Sequence, residues 1–273
     1  MTDQYAVIGN PITQSKSPLI HATFAELTGQ DMVYDKIEAA LGGFSAAVDA
    51  FRAAGGLGLN ITSPFKLDAA AYATQSSERV KLSGAANAMK FDGEQVLAEN
   101  FDGIGLVRDV THNLNFALKG KRVLMLGAGG AARGALLPFL EQEPLDLVIA
   151  NRTLQKAMDL ASIGAQQGRV HSSSYAELAG QTFDVVFNAT SASLRGELPP
   201  VPVTIFSNCT LAYELAYGKG LTPFLKLAHN SGVPQIADGV GMLAEQAAEA
   251  FAWWRGVRPD TQKMIKHLTV PLV

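Results

Sequence analysis

A lysine follows a strand-like segment of mostly small and apolar residues at positions 58–66, Gly-Leu-Asn-Ile-Thr-Ser-Pro-Phe-Lys. An ammonium group held at such a rigid corner loses solvation free energy unless it has a partner or a chemical task. Lysine shifts its pKa readily when desolvated, which suits it to proton transfer. The segment therefore indicates either a general acid or base at Lys66 or a solvated lysine just beyond a strand.

Hydroxyl, amide and carboxylate side chains lie near the ends of other predicted elements in the N-terminal part of the chain. Ser15 and Ser17 precede Pro18 at a helix start, where free backbone amides attract anions. Asn87 and Asp102 place an amide and a carboxylate at strand ends. The serines form a candidate anion site, whereas helix capping alone is the alternative role for Ser17 and for Asp102.

A glycine-rich turn at residues 127–132, Gly-Ala-Gly-Gly-Ala-Ala, lies between a predicted strand and a predicted helix. In this Gly-x-Gly-x-x-Ala pattern Gly127 permits the tight turn, Gly129 lets the backbone approach a pyrophosphate, and Ala132 allows close helix packing. The amides at the helix start then bind phosphate. The context favours a dinucleotide site over a glycine-rich turn without a ligand. The predicted cofactor residues of this turn are Gly127, Ala128, Gly129, Gly130 and Ala131.

The end of the next predicted strand indicates which dinucleotide binds. An NAD site places Asp or Glu about 20 residues after the glycines, to bind the ribose 2′-hydroxyl. Here the strand ends in Asn-Arg-Thr at 151–153, and a guanidinium without a carboxylate suits the 2′-phosphate of NADP. The alternative is a solvated arginine, and an ordinary turn is the alternative for the Asn-Ala-Thr-Ser segment at 188–191. The predicted cofactor residues here are Asn151, Arg152, Thr153, Lys156 and Thr190.

Alternating strand-like and helix-like segments must position these groups, and this alternation predicts an α/β architecture. A helix is predicted to begin with Ser17 as N-cap and to end at Gly29. Asp92-Gly93 is a strong hairpin signal between two strands. The predicted strands of the N-terminal part are 5–9, 34–37, 58–61, 87–91 and 95–99, and its further helices are 44–54, 66–73 and 77–82.

Strands and helices also alternate in the remainder of the chain. A long helix is predicted over 103–118, and the proline-rich segment 198–204 is predicted to be a loop. The predicted strands are 121–126, 145–150 and 184–188, and the predicted helices are 154–163, 222–229 and 241–255.

The composition excludes several classes of protein. The chain has 273 residues, of which 48% are hydrophobic and 17% charged, so it can bury a substantial core. A net charge of −3 argues against a nucleic-acid binder, and the single cysteine excludes an internal disulfide and any multi-cysteine metal site. No secretory signal and no membrane-spanning run is visible. We expect a cytoplasmic protein with a small-molecule substrate and no metal, either monomeric or homodimeric.

Nine ordered motifs resemble the shikimate dehydrogenase family over nearly the whole chain. They are Gly9-Asn-Pro11 with Ser15-x-Ser17-Pro18, Asn60-x-Thr62-x-Pro64-x-Lys66, Asn87, Asp102-Gly103, residues 127–131, 151–153 and 188–191, Tyr217 with Thr222-Pro223, and Asp238-Gly-Val-Gly-Met242 with Gln246. The resemblance implies reversible reduction of 3-dehydroshikimate by NADPH in aromatic biosynthesis.

The resemblance also implies roles and a domain arrangement. Lys66 and Asp102 would be the catalytic pair. The implied fold joins an N-terminal α/β substrate domain, 1–102 with the C-terminal helices 240–273, to a Rossmann-like parallel-sheet NADP domain, 103–239. The implied substrate-binding residues are Ser15, Ser17, Thr62, Asn87, Tyr217 and Gln246, and the implied additional cofactor-binding residues are Gly239 and Met242.

Four positions depart from the usual family pattern. Phe101 stands where threonine is typical, Ser193 where glycine is typical, Gln14 where histidine is common and Ala88 where threonine is common. Phe101 favours the alternative of a family paralogue that acts on quinate or another shikimate-like hydroxy acid. A sensor that binds NADP without turnover is a third hypothesis, against which the retention of Lys66 with its partners argues.

Overall fold

The computed structural model describes residues 2–218 and 220–272, and the chain forms two compact units. The first unit comprises Met1–Gly105 and Ala244–Met264, and the second comprises Leu106–Leu243 and Ile265–Val273. The boundaries near 105 and 243 fall inside helices α5 (Asp102–Arg108) and α9 (Val240–Arg255). The sequence-based division assigned all of 240–273 to the first domain, whereas the last residues group with the second unit.

The first unit is built on a six-stranded mixed sheet in the order β2-β1-β3-β5-β6-β4. β1 pairs in parallel with β2 and β3, and β5 and β6 form the predicted antiparallel hairpin. Its strands are β1 (Asp3–Gly9), β2 (Met32–Glu38), β3 (Gly56–Ile61), β4 (Gln75–Ser76), β5 (Ala88–Asp92) and β6 (Gln95–Glu99). Its helices before α5 are α1 (Ser17–Thr28), α2 (Phe44–Ala53), α3 (Lys66–Tyr72) and α4 (Glu78–Ser83).

The start of helix α1 corrects one prediction. Ser17 is the first helical residue rather than the N-cap, and the cap position, Lys16, makes no side-chain capping hydrogen bond. The amide of Ser17 instead donates to Oγ of Ser15 at 3.3 Å, so the earlier serine satisfies one of the free amides of the first turn. The predicted end at Gly29 is confirmed, with the left-handed φ of 64° that glycine adopts readily.

The helix predicted over 103–118 is shorter in the structure. α5 ends at Arg108, a π-helical turn follows over Asp109–Asn113, and Leu114 ends it. Asn115 then has a positive φ of 52°, a conformation that a continuing helix does not contain. A π-helical turn is rare and occurs mostly as a single turn inside a helix, and a pattern of apolar residues does not predict it.

The second unit contains a six-stranded sheet that is parallel throughout, in the order β9-β8-β7-β10-β11-β12. Numbered from its own first strand, this is the order 3-2-1-4-5-6 of a doubly wound dinucleotide-binding fold, which confirms the predicted fold class. Its strands are β7 (Arg122–Leu126), β8 (Asp146–Ala150), β9 (Val170–Ser173), β10 (Val185–Asn188), β11 (Leu211–Glu214) and β12 (Gln235–Asp238), and its helices besides α9 are α6 (Gly130–Leu140), α7 (Leu154–Gly164) and α8 (Pro223–Asn230). Helix α10 (Gln262–Leu268) is the last element in chain order.

Alternate residues of β7 supply the two hydrophobic cores of the second unit, one on each face of the sheet. Val123 and Met125 belong to one core, and Leu124 and Leu126 belong to the other. Cys209 is buried in the second of these cores, where its Sγ lies 3.0 Å from the carbonyl of Leu211. Burial raises the pKa of this thiol to about 12.

The described residues contain neither a helix suited to cross a membrane nor a cluster suited to bind a metal ion. Within 2–218 and 220–272 no helix combines the length and apolar character required to cross a bilayer. In the same ranges, no cluster of three or more His, Cys, Asp or Glu side chains is arranged to hold a metal ion.

Candidate active site

Lys66 is positioned by the turn that connects β3 to α3. The amide of Phe65 donates to the carbonyl of Thr62 at 3.0 Å, and the ring of Phe65 is buried in the core of the unit. The backbone carbonyl of Lys66 accepts from the amide of Ala86 at 2.9 Å. Its Nζ lies 2.5 Å from Oδ2 of Asp102, and the two side chains are 33% and 11% exposed. Lys66 is therefore a paired, partly desolvated ammonium group rather than a freely solvated one.

Asp102 is held on both of its carboxylate oxygens. Its Oδ1 accepts from Nδ2 of Asn87 at 2.7 Å, and its amide donates to Oδ1 of Asn100 at 3.1 Å. Asn87 also donates to Oε1 of Gln246 at 3.1 Å and accepts from the amide of Phe101 at 2.8 Å. The structure thus joins four predicted site residues, Lys66, Asp102, Asn87 and Gln246, in one hydrogen-bonded cluster, which we call the lysine cluster.

The other predicted substrate residues lie on neighbouring loops or in the second unit. Ser17 begins α1, and Ser15 precedes the helix and accepts from the Ser17 amide, as described above. Thr62 follows β3, and its methyl group packs so tightly on Gly9 that a Cβ at Gly9 would lie 2.5 Å from it. Tyr217 belongs to the second unit, where it follows β11 and is 43% exposed.

A buried layer of aromatic and amide side chains lies next to the lysine cluster in the first unit. Nδ2 of Asn60 donates to the carbonyl of Asn87 at 3.3 Å, and the Tyr34 hydroxyl donates to Oδ1 of Asn60 at 2.7 Å. The ring of His21 stacks on Tyr34 with a centroid distance of 4.2 Å. Both ring nitrogens of His21 are buried without a hydrogen-bond partner among the described residues. Burial lowers the pKa of His21 to about 3, although the nearby Asn60 amide partly opposes this shift.

A cavity of about 460 Å³ opens in the second unit beyond the carboxyl ends of β7, β8 and β10. Ligands bind at this edge of doubly wound sheets. Ala131, Gly239 and Met242 are not among its lining residues; Gly239 packs its backbone against the carbonyl of Leu215. The predicted cofactor residues that line the cavity are Gly127, Ala128, Gly129, Gly130, Asn151, Arg152, Thr153, Lys156 and Thr190.

Gly127 and Gly129, the two glycines of the Gly-x-Gly-x-x-Ala pattern in the β7–α6 turn, have different surroundings. Gly127 has a φ of 103°, and a Cβ there would lie 3.1 Å from backbone atoms of Ala189. Gly129 precedes α6, and a Cβ there would meet no atom within 4 Å. Gly127 therefore serves the fold, whereas Gly129 leaves open space beside the first amides of α6. Such a space fits the approach of a pyrophosphate group.

The charged side chains that line the cavity also fit a phosphorylated dinucleotide. The cations are Arg152, Lys156 and Arg195, and Glu197 is a carboxylate among them. Tyr175 lines the same cavity. The sequence motifs did not predict that Tyr175, Arg195 and Glu197 line this cavity. For Arg195 a signal existed, because it lies in the same loop as Thr190, directly after a predicted ligand-binding strand end.

Comparisons with known proteins identify the family. Family models described as the shikimate dehydrogenase substrate binding domain, shikimate / quinate 5-dehydrogenase and the shikimate 5′-dehydrogenase C-terminal domain match residues 7–89, 109–195 and 239–269. A curated protein named Shikimate dehydrogenase (NADP(+)), from Nitrosospira multiformis, is 56% identical over 268 residues, which cover 98% of each chain. The chain belongs to the shikimate dehydrogenase family.

Solved structures resemble the chain over nearly its whole length. The crystal structure of an Ael1 enzyme from Pseudomonas putida is 57% identical with a TM-score of 0.97, covering 99% of this chain and 100% of that one. The shikimate 5-dehydrogenase of Thermus thermophilus, solved in complex with NADP(H) and shikimate, is 29% identical with a TM-score of 0.87, covering 97% of both chains.

The structure gives each departure from the shikimate dehydrogenase pattern a definite surrounding. Phe101 is 6% exposed and packs edge-on against Trp253, with a centroid distance of 5.7 Å. Ala88 is fully buried, whereas Gln14 is exposed. Ser193 is buried and donates to the carboxylate of Glu214. Phe101 and Ser193 are thus both integrated into the interior of their units.

Proposed function

We propose that this protein is an NADP-dependent shikimate dehydrogenase, which reversibly reduces 3-dehydroshikimate to shikimate. The observation that carries the proposal is the lysine cluster, in which an ammonium group is fixed at 2.5 Å from a carboxylate and remains 33% exposed. Curated relatives between 49% and 56% identical carry the name Shikimate dehydrogenase (NADP(+)). The fold brings the members of the cluster together from four separate segments of the chain.

Lys66 acts as the proton donor in the direction of ketone reduction. NADPH, held by the residues of the second-unit cavity, would supply the hydride to the ketone carbon of the substrate. Negative charge then develops on the carbonyl oxygen, where the Lys66 ammonium group stabilises it and transfers a proton. In the reverse direction, the neutral lysine amine takes the proton from the alcohol.

Asp102 and its neighbours orient the lysine and the substrate. The carboxylate of Asp102 fixes the direction of the Lys66 ammonium group, while Asn87 holds the carboxylate from the other side. The amide groups of Asn87 and Gln246 suit the ring hydroxyls of a shikimate-like substrate. The proposed ligands of the substrate carboxylate are Ser15, Ser17 and Tyr217, and Thr62 is a proposed further hydroxyl ligand.

The proposed cofactor residues are those of the second-unit cavity, extended by the start of α9. The open space at Gly129 suits the pyrophosphate, and Arg152 with Lys156 suits the 2′-phosphate that distinguishes NADP from NAD. Ala131, Gly239 and Met242 remain proposed cofactor contacts, although they do not line the cavity itself.

A single assay tests the proposed activity. Purified protein is mixed with shikimate or quinate and with NADP⁺ or NAD⁺, and the absorbance of the reduced nicotinamide is followed. We expect turnover with shikimate and NADP⁺. Turnover restricted to quinate would contradict the proposed substrate, and NADP⁺ binding without turnover of either acid would contradict the proposed catalysis.

A further inference from the structure

The charges of the second-unit cavity are not all explained by the proposed contacts. Arg152 is an exposed cation just after β8 and Lys156 is one in the first turn of α7, whereas Arg195 lines the cavity from the loop after β10. Glu197 lies two residues further along the same loop and lines the same cavity. A carboxylate at this place opposes the binding of an anion, so its presence requires an explanation.

The loop holds the guanidinium of Arg195 in a defined position. A short helical turn over Ser193–Arg195 ends at Gly196, whose φ is 71°. Nε and Nη2 of Arg195 then donate to Oε2 of Glu197 at 3.0 and 2.8 Å, and Nη1 donates to Oγ of Ser191 at 3.0 Å. The two charged side chains are 53% and 57% exposed, so water screens their attraction and a stronger anion can replace the carboxylate.

Glu197 also responds to the cation on the neighbouring strand end. The hydrogen bond from Arg195 is the main cause that lowers the pKa of Glu197, and the positive charge of Arg152 adds to it. The carboxylate of Glu197 is therefore within electrostatic reach of both guanidinium groups. Arg152, Arg195 and Glu197 all line the same cavity, so an anion bound there would face the same cations as the Glu197 carboxylate.

We propose that Arg195 is a third cation for the 2′-phosphate of NADP, and that Glu197 is an internal counter-ion which the phosphate displaces. The inference rests on the proposed function for the identity of the dinucleotide. A phosphate monoester carries a charge of about −1.5 to −2 at neutral pH, which exceeds that of one carboxylate, so Arg195 changes partner when NADP binds. NAD has a 2′-hydroxyl instead and gives Arg195 no reason to leave Glu197. Arg195 thus contributes to the preference for NADP, and Glu197 limits the affinity.

Binding measurements without substrate test this assignment. Dissociation constants for NADP⁺, NAD⁺ and adenosine 2′,5′-bisphosphate are measured by calorimetry on the wild type, Arg195→Gln and Glu197→Gln. Loss of one charge-assisted hydrogen bond weakens NADP⁺ and the bisphosphate about tenfold in Arg195→Gln. Release of an exposed ion pair strengthens both about threefold in Glu197→Gln. The affinity for NAD⁺ stays within about twofold of the wild type in both variants.

The matched controls are Lys119→Gln and Glu143→Gln. These two residues form another exposed ion pair of the second unit, which lines a different cavity. The controls remove the same charges and leave the NADP⁺ affinity unchanged. An unaltered NADP⁺ affinity in Arg195→Gln, or an equal loss of NADP⁺ and NAD⁺ affinity, overturns the assignment while the proposed function stands. A wild type that binds neither dinucleotide contradicts both.

Discussion

At the scale of single residues, the surroundings of Lys66 are more informative than its sequence position. Each oxygen of its partner Asp102 has a different hydrogen-bond donor, Lys66 on one side and Asn87 on the other. A carboxylate held in this way cannot rotate without losing one of the two bonds. The direction of the Lys66 ammonium group is consequently set before any substrate arrives, which is the form of preorganisation that proton transfer requires.

Removal of the Lys66 amine is the most direct test of this preorganised donor. In Lys66→Ala we expect kcat to fall by about 10²–10⁴, the usual contribution of a positioned general acid. The dissociation constant of NADP⁺ stays unchanged, because the proposed cofactor residues belong to the second unit. Lys81→Ala is the control, since Lys81 is an exposed lysine of the same unit that is also paired with a carboxylate. A kcat within about twofold of the wild type in Lys66→Ala would remove its assigned role.

The hydrogen-bond partners of the site residues could not be predicted from the sequence alone. Lys66 and Asp102 are both in recognisable motifs, yet only the fold shows that Asn87 reaches Gln246 from 159 positions away. The pairing of Arg195 with Glu197 was missed for another reason. Both lie in a loop, where no periodicity relates sequence spacing to direction.

At the scale of elements, the turn between β7 and α6 separates a structural glycine from a proposed functional one. Gly127 needs its positive φ and lacks room for a side chain, whereas Gly129 has room for one. Two glycines of one motif therefore predict two different phenotypes. The difference follows from the backbone of this one turn and is independent of any knowledge of the bound ligand.

Substitution of each glycine by alanine distinguishes these roles. Gly129→Ala should keep the melting temperature of the wild type and weaken NADP⁺ binding about tenfold, because the new methyl group occupies space proposed for the pyrophosphate. Gly127→Ala should lower the stability by about 1 kcal/mol or more, since its φ is strained for alanine. Thermal unfolding and calorimetric titration measure both effects. Undiminished NADP⁺ affinity in Gly129→Ala would contradict the proposed position of the pyrophosphate.

Long and strongly patterned elements were predictable, and short ones were not. The helix over Val240–Arg255 and the hairpin around Asp92-Gly93 follow the sequence signals closely. The strands β9, β11 and β12 were not predicted, because they lack the consecutive Val-Val-Phe run that marks the equally short β10. Such strands form because the edge of the parallel sheet has unpaired amides and carbonyls with which they can pair. Their formation therefore depends on tertiary structure rather than on local sequence.

At the scale of the whole molecule, the buried His21 couples the stability of the first unit to pH. Its pKa is about 3 in the folded protein and about 6.5 when exposed, so the unfolded state binds the additional proton between these values. Stability therefore decreases as the pH falls below about 6.5, and this contribution is fully present above that pH. Acid therefore destabilises the buried layer around His21 and Tyr34, which lies next to the lysine cluster.

Replacement of His21 by phenylalanine should abolish this dependence while a ring remains stacked on Tyr34. We expect the wild type to lose about 1.4 kcal/mol of unfolding free energy per pH unit below about 6.5, relative to His21→Phe. Urea unfolding followed by tryptophan fluorescence measures the loss in the relevant unit, because Trp253 and Trp254 are the two tryptophans of the chain and both belong to it. The exposed His229 provides the control His229→Gln, which should retain the wild-type slope. A parallel pH slope for His21→Phe and the wild type would exclude His21 as its source.

The buried thiol of Cys209 provides a measure of how often the second unit opens. In alkylation the thiolate of Cys209 attacks the reagent. Burial excludes the reagent and raises the pKa of the thiol, so alkylation occurs only when this unit opens. The labelling rate therefore measures how often the second unit opens. The fluorescence of the two tryptophans reports the unfolding of the first unit. NADP⁺ at a hundred times its dissociation constant should slow labelling about 100-fold if it binds the closed second unit alone. The native cysteine and the two native tryptophans thus allow the opening of each unit to be followed separately without any substitution in the chain.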